Sequence, residues 1–219
     1  VLLMDEPLSN LDAKLRVEMR SVIKRIQNDV GITTVYVTHD QEEAMAVSDR
    51  IAVMDQGVIQ HIGTPKDIYQ RPANVFVATF IGRTNMLDGQ LTCEDGECVL
   101  TLPGGYAVAL DTVAADALKS QDVRVSVRPE EFIVSRQSGR GMSAVVTDSV
   151  FLGLNTHYTL TLATGEEVET IQESSIDSII EKGSAVSLTV KTEKINVFSA
   201  DGRTNLLGGV RNDLEERAL

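Results

Sequence analysis

The sequence predicts an α/β segment built on a parallel sheet, followed by an all-β domain. The chain opens with an uninterrupted apolar run, Val1–Met4, that leads into the carboxylates Asp5 and Glu6. Such a run is typical of a strand buried on both faces of a parallel sheet. Beyond residue 82 the pattern changes to short β runs separated by turn residues, which predicts a sandwich or small barrel.

Polar side chains follow the first two predicted strands. Asp5 and Glu6 end the first, and the β-branched run Thr33–Thr38 ends in His39 and Asp40. Open α/β sheets bind ligands at the carboxyl ends of their strands, so these residues form the candidate site. Because successive strand residues point to opposite faces, Asp5 and Glu6 are predicted to have separate roles.

The helices of the first segment follow from apolar spacing and capping residues. Apolar residues recur at helical intervals from Ala13 to Val30, with Asp12 as a candidate N-cap and Gly31 as the stop signal. The remaining predicted elements are a helix over Glu42–Ser48, a hairpin turning at Gln56-Gly57, a helix from Thr64-Pro65 to Gln70, and a helix over Asn74–Phe80.

The all-β part contains one internal echo. The alternating segment Val123–Glu130 aligns with Val186–Glu193 at an offset of 63 residues, and apolar residues follow each copy. This alignment indicates a duplicated β unit. In the same region Asp95-Gly96 predicts a tight hairpin turn that sets Cys93 opposite Cys98. Two reduced thiols are the expected state of this pair, and without further cysteines they are not a zinc site.

Several motifs resemble the ATP-binding subunit of an ATP-binding-cassette (ABC) transporter. Val1–Glu6 matches its Walker B strand and the following glutamate, Ser9–Asp12 its D-loop, and Thr38–Asp40 its switch histidine. The motif Arg128-Pro129-Glu130 resembles the regulatory domain that follows the ATPase in importers of the maltose, polyamine and ferric-iron type. The resemblance implies a partial P-loop NTPase over residues 1–82, an OB-like, TOBE-type β domain over residues 83–204, and a tail over residues 205–219.

The resemblance also implies the chemistry and the partners. Asp5 would hold Mg²⁺, Glu6 would act as general base on the attacking water, and His39 would donate a hydrogen bond to the γ-phosphate of ATP. Ser9 and Asp12 would complete the nucleotide site at the interface of an ATPase homodimer. The further expected partners are two integral-membrane permease subunits and, indirectly, an extracytoplasmic solute-binding protein.

One departure from the family pattern concerns the phosphates. The sequence contains no G-x-x-x-x-G-K-[ST] loop, and the signature motif and glutamine loop are missing as well. The expectation is therefore a C-terminal fragment of a longer subunit, inactive by itself. Overall resemblance favours polyamine as the transported solute, although permease and binding protein select it.

Composition narrows the function classes. A net charge of −12 argues against binding to nucleic acid. No apolar run reaches the roughly 18 residues of a membrane span, so the chain is expected to be soluble. The resemblance implies a peripheral position at the cytoplasmic face of the membrane. Two alternatives stay open: a β domain that binds a ligand or a protein beside an inactive ATPase remnant, and a P-loop ATPase of chromosome-maintenance or repair type. The acidic balance and the absence of heptads weigh against the repair class.

Overall fold

The computed structural model describes residues 1–137, 139, 141–174 and 179–214. The chain forms two compact units: residues 1–71 together with the chain from Arg211, and residues 72–210. Within the described ranges, no helix is long and apolar enough to cross a membrane. The domain boundaries at residues 82 and 204 were predicted from sequence resemblance, and a division of the chain by spatial contact does not test them. They stay predictions.

The first unit contains a parallel strand–helix–strand motif and an antiparallel hairpin. Its elements are β1 (Leu2–Asp5), α1 (Ala13–Val30), β2 (Thr34–Val37), α2 (Gln41–Val47), β3 (Ile51–Asp55), β4 (Val58–Gly63) and α3 (Pro65–Gln70). Strands β1 and β2 pair in parallel, with Asp5 opposite Val37. The predicted parallel sheet is thus present in part, as two strands among the described residues.

Local signals account for these boundaries. The Asp12 carboxylate accepts a hydrogen bond from the Leu15 N–H at 2.9 Å, and Gly31 ends α1 at φ +64°. These are an N-cap and a left-handed C-terminal residue. Gln56 and Gly57 both have positive φ, as a two-residue turn between β3 and β4 requires. Helix α1 therefore has the predicted bounds.

The prediction that the first two strands are buried on both faces is wrong for this chain. The Leu3 residue is 73% exposed and Val35 is 50% exposed. Within the part of the chain that the structure describes, β1 and β2 pair only with each other. A strand is buried on both faces only where further layers cover the sheet, so these apolar side chains stay accessible.

The second unit is all-β after one short helix, as predicted. Its elements are α4 (Val75–Phe80), β5 (Asn85–Glu94), β6 (Glu97–Leu102), β7 (Tyr106–Leu110), β8 (Gln121–Val127), β9 (Phe132–Ser135), β10 (Met142–Phe151), β11 (Asn155–Leu162), β12 (Glu167–Glu173), β13 (Ala185–Val190) and β14 (Asn196–Ser199). The strands form two five-stranded antiparallel sheets, ordered β12-β11-β10-β13-β9 and β14-β8-β5-β6-β7.

The two sheets are built on the same plan and exchange their last strands. Strands β5, β6, β7 and β8 hold the same places in one sheet as β10, β11, β12 and β13 hold in the other. The strand that follows each set joins the other sheet, so that β9 pairs with β13 and β14 pairs with β8. Strands β8 and β13 contain the first five residues of each of the two segments that align at an offset of 63 residues. A single apolar core, which includes Val125, Leu160 and Leu188, draws on both sheets.

The hairpin β5–β6 has the predicted register, but the state of its two cysteines differs from the prediction. Cys93 pairs with Cys98 and Glu94 with Glu97, the predicted register. The cysteines form a disulfide across a Cα–Cα distance of 4.2 Å, whereas two reduced thiols were expected. Directly opposed residues of an antiparallel pair place their side chains on the same face, which brings the two sulfurs within bonding reach.

The predicted tail is folded where the structure describes it. Asn205 and Leu207 are buried within the second unit. Asn212 and Asp213 hydrogen-bond with the backbone of Ile62 in β4 and so belong to the first unit. Residues 215–219 lie outside the described part of the chain.

Candidate active site

The candidate site lies at the carboxyl ends of β1 and β2, which are neighbours in the parallel pair. Glu6 directly follows β1, and His39 lies two residues beyond β2. The Glu6 Oε1 atom and the His39 Nδ1 atom are 3.0 Å apart. The two residues predicted from sequence to carry catalysis are thus in direct contact, because the parallel register brings both strand ends to one edge.

Glu6 has an unusual backbone conformation. Its φ is +43°, a region that costs a non-glycine residue about 1–3 kcal/mol. The Glu6 N–H donates to the Val37 carbonyl at 2.9 Å, and the Ser9 hydroxyl donates to the Glu6 carbonyl at 3.0 Å. Because β1 ends at Asp5, strand alternation does not orient the Glu6 side chain. The sequence argument for separate roles of Asp5 and Glu6 fails on that point, and the turn beyond the strand orients Glu6 instead.

The contact with Glu6 favours the protonated form of His39. A hydrogen bond to Glu6, together with its negative charge, raises the pKa of the His39 imidazole. With Nδ1–H donating to a carboxylate, a neutral ring would leave Nε2 as an acceptor, whereas the imidazolium form donates from both nitrogens. A raised pKa therefore favours the form that can donate from Nε2 to a phosphate oxygen while Nδ1 stays on Glu6.

The other predicted site residues occupy different positions near this pair. Ser9 contacts the Glu6 backbone, Asp12 caps α1, and Asp5 is exposed at the end of β1. In the described residues, no group of three or more histidine, cysteine, aspartate or glutamate side chains could hold a metal ion. The exposed Asp5 carboxylate fits Mg²⁺, which prefers oxygen ligands and often binds through one carboxylate while keeping several waters.

Sequence reasoning missed a buried acidic residue beside His39. Glu43 lies in the first turn of α2 and is 2% exposed. Its Oε2 accepts hydrogen bonds from the Thr38 hydroxyl at 2.8 Å and the Tyr36 hydroxyl at 3.1 Å. Burial, reinforced by the charge of Glu43, raises the pKa of Tyr36 to about 12, so its hydroxyl stays a donor. A glutamate on a short helix gives no sequence signal of burial.

Two arginines of α1 support the same turn. Arg16 and Arg20 both hydrogen-bond to the Asp40 carboxylate, at 3.3 Å and 3.2 Å. Burial by itself would raise the pKa of Asp40, but the Glu43 N–H and the two arginines outweigh it and lower that pKa. Both arginines, His39 and Asp40 line an open concavity of about 440 Å³.

Comparison with known proteins agrees with the motifs. A TOBE domain matches residues 125–198. The Fe(3+) ions import ATP-binding protein FbpC of Fusobacterium nucleatum is 63% identical over 214 residues, which is 97% of this chain and 56% of that protein. The spermidine/putrescine import ATP-binding protein PotA 1 of Pseudomonas aeruginosa is 42% identical over 203 residues, 90% of this chain and 54% of that protein.

A solved structure shows a weaker likeness. The molybdate-bound form of the cytoplasmic molybdate-binding protein ModG matches with a TM-score of 0.44 and 17% identity, over 52% of this chain and 95% of that one. A match this weak supports no conclusion about the fold or function of this chain. The chain spans about half the length of the import proteins that it matches. Over 90% or more of its length, this chain is thus similar to the ATP-binding proteins of ferric-iron and polyamine import, and residues 125–198 of its β unit match a TOBE domain.

Proposed function

We propose that this chain supplies the water-activating side of the ATPase site, and the regulatory domain, of an ABC import subunit. The observation that carries the proposal is the contact between Glu6 and His39 at the adjacent ends of two parallel strands. A carboxylate and an imidazole at one edge are suited to phosphoryl transfer, which depends on positioning and charge stabilisation more than on covalent chemistry.

Each site residue has a proposed role in that reaction. Glu6 orients and deprotonates the attacking water, which it can do through Oε2 while Oε1 holds His39. His39 donates from Nε2 to the γ-phosphate of ATP. Asp5 holds Mg²⁺, which would neutralise phosphate charge. Ser9 and Asp12, on the segment that connects β1 to α1, would contact the nucleotide site across a subunit dimer.

The 219 residues alone are proposed to be inactive, because they contain no phosphate-binding loop. The working assembly would be a homodimer of complete ATPase subunits, attached to two membrane permeases at the cytoplasmic face and served indirectly by an extracytoplasmic binding protein. No nucleic acid is expected to bind, given the net charge of −12.

Turnover and nucleotide affinity, measured side by side in the complete subunit that contains this sequence, test the proposal. The Glu6→Gln variant is expected to lose about two orders of magnitude or more in turnover, as the loss of general-base help implies, while ATP still binds. We expect Asp5→Asn to weaken Mg·ATP binding and His39→Ala to slow turnover with little loss of affinity.

Two controls accompany this series. Glu18→Gln removes an equal charge from an exposed residue of α1 and is expected to leave both quantities unchanged. The 219-residue chain by itself is expected to hydrolyse no ATP. A Glu6→Gln variant that turns over at nearly the parent rate would show that Glu6 is not the general base.

For the transported solute, the relatives name two classes. The 63% identical protein is named for Fe(3+) ions and the 42% identical one for spermidine and putrescine, so we propose ferric iron ahead of polyamine. Uptake of labelled ferric iron and labelled putrescine, in cells that lack the gene for this subunit, separates the two. A loss of putrescine uptake with iron uptake intact would reverse the assignment.

A further inference from the structure

Glu43 is an ionisable residue in a place where ionisable groups are costly. It is 2% exposed, and burying a carboxylate is unfavourable unless hydrogen bonds and opposite charge compensate for the lost hydration. The compensating groups come from three elements. Tyr36 belongs to β2, Thr38 to the turn after it, and Arg16 to α1, where its Nε lies 3.8 Å from Glu43 Oε1.

Hydrogen bonds join Glu43 to the residues on both sides of His39. The Thr38 hydroxyl donates to Glu43 Oε2 at 2.8 Å and accepts from the Asp40 N–H at 2.9 Å. The Asp40 Oδ1 atom accepts in turn from the Glu43 N–H at 3.0 Å. The residues immediately before and after His39 are thus both fixed to Glu43, directly or through one hydroxyl.

The position of the His39 side chain depends on how its backbone is held. Its side chain is 75% exposed, and an exposed imidazole is free to change rotamer unless its backbone and partner are fixed. Its contact with Glu6 requires the Cα–Cβ bond to point at the end of β1. The direction of that bond is determined by the backbone between Thr38 and Asp40.

The same network reaches the loop that carries Ser9 and Asp12. Arg16, which lies beside Glu43, donates from Nη2 to the Leu11 carbonyl at 3.1 Å and from Nη1 to Asp40 at 3.3 Å. Arg16 therefore links the turn of His39 to the segment between β1 and α1, and the Glu43 carboxylate lies 3.8 Å from its Nε atom. A displacement of either segment would therefore displace the other.

From these contacts we propose that Glu43 is a positioning residue, whose buried carboxylate holds the Thr38–Asp40 turn so that His39 meets Glu6. The proposal concerns contacts within this chain. Its significance for catalysis rests on the proposed function of Glu6 and His39.

The test uses nuclear magnetic resonance on the 219-residue chain. Through-space cross-peaks between the His39 ring and the Glu6 side chain report the contact, and titration of the ring reports its pKa. In the parent, we expect the cross-peaks to be present and the pKa to lie above the ordinary value of about 6.5. We expect Glu43→Ala to abolish the cross-peaks and to return the pKa toward that value.

A conservative variant separates positioning from charge. Glu43→Gln also removes the negative charge, but its amide oxygen can still accept from Thr38 and Tyr36. It is expected to keep the cross-peaks and most of the pKa elevation. Cross-peaks retained at the parent intensity in Glu43→Ala would show that Glu43 does not hold the turn, and the proposal would be wrong. Glu42→Gln is the matched control, since Glu42 precedes Glu43 on α2 and its side chain is 83% exposed. It should retain the contact.

Two further measurements keep the test decisive. If Glu43→Ala unfolds the first unit, Thr38→Val removes the bridging hydroxyl with little change of volume and should break the same contact, while Thr38→Ser should restore it. Retention of the contact in Thr38→Val would overturn the proposal.

In the complete subunit, we expect Glu43→Ala to lower kcat with KM little changed. If the His39 contact is lost while kcat stays at the parent value, the role of His39 fails and the positioning role stands.

Discussion

Arg128 provides the sharpest stability test in the β unit. It directly follows β8 and begins the Arg-Pro-Glu motif, yet it is only 6% exposed. Its Nη1 donates to the Ile81 carbonyl at 2.8 Å and to the Arg83 carbonyl at 3.1 Å. The guanidinium thus fixes the segment between α4 and β5 to the end of β8.

The perturbation is Arg128→Met, which keeps an apolar stem and removes the donors. Each hydrogen bond from a charged group contributes about 1.5–3 kcal/mol, and part of that loss is offset because a buried charge is no longer desolvated. The free energy of unfolding of this unit is therefore expected to fall by about 2–4 kcal/mol.

Urea unfolding followed by the amide signals of residues 72–210 measures that free energy separately from the first unit. Arg203→Met is the matched control, because its side chain is 86% exposed and pairs with Asp201 at 3.8 Å. Exposed ion pairs contribute little, so the control should stay within about 0.5 kcal/mol of the parent. An Arg128→Met variant as stable as the control would refute the reasoning.

Two predictions concern the first unit. Asp12→Ala is expected to lower its free energy of unfolding by about 1 kcal/mol through loss of the α1 cap, and Asp12→Ser should retain most of it; equal loss in both variants would contradict the capping role. Amide hydrogen exchange is expected to be faster in residues 1–82 than in the β domain, since α1 buries none of its residues fully and β1 and β2 form a two-stranded sheet. Greater protection of residues 1–82 than of the β domain would contradict this expectation.

The sequence sufficed wherever the controlling interactions are local. Helix α1 has its predicted bounds because Asp12 and Gly31 act within a turn of its ends. The register at Cys93 and Cys98 follows from a two-residue turn in the same way. The meeting of Glu6 and His39 was also predictable, since parallel strands bring their carboxyl ends to one edge of a sheet.

Contacts between residues distant in sequence were decided by the tertiary structure. Strand β9 leaves its own repeat to pair with β13, and the burial of Arg128 depends on carbonyls 45 and 47 residues away. Alternating apolar residues specify a strand and its buried face, but they do not specify which strand lies beside it. Likewise, Glu43 reads as one more acid on a short helix. Only the folded chain surrounds it with Tyr36, Thr38 and Arg16, because burial is a property of the whole packing and not of the residue.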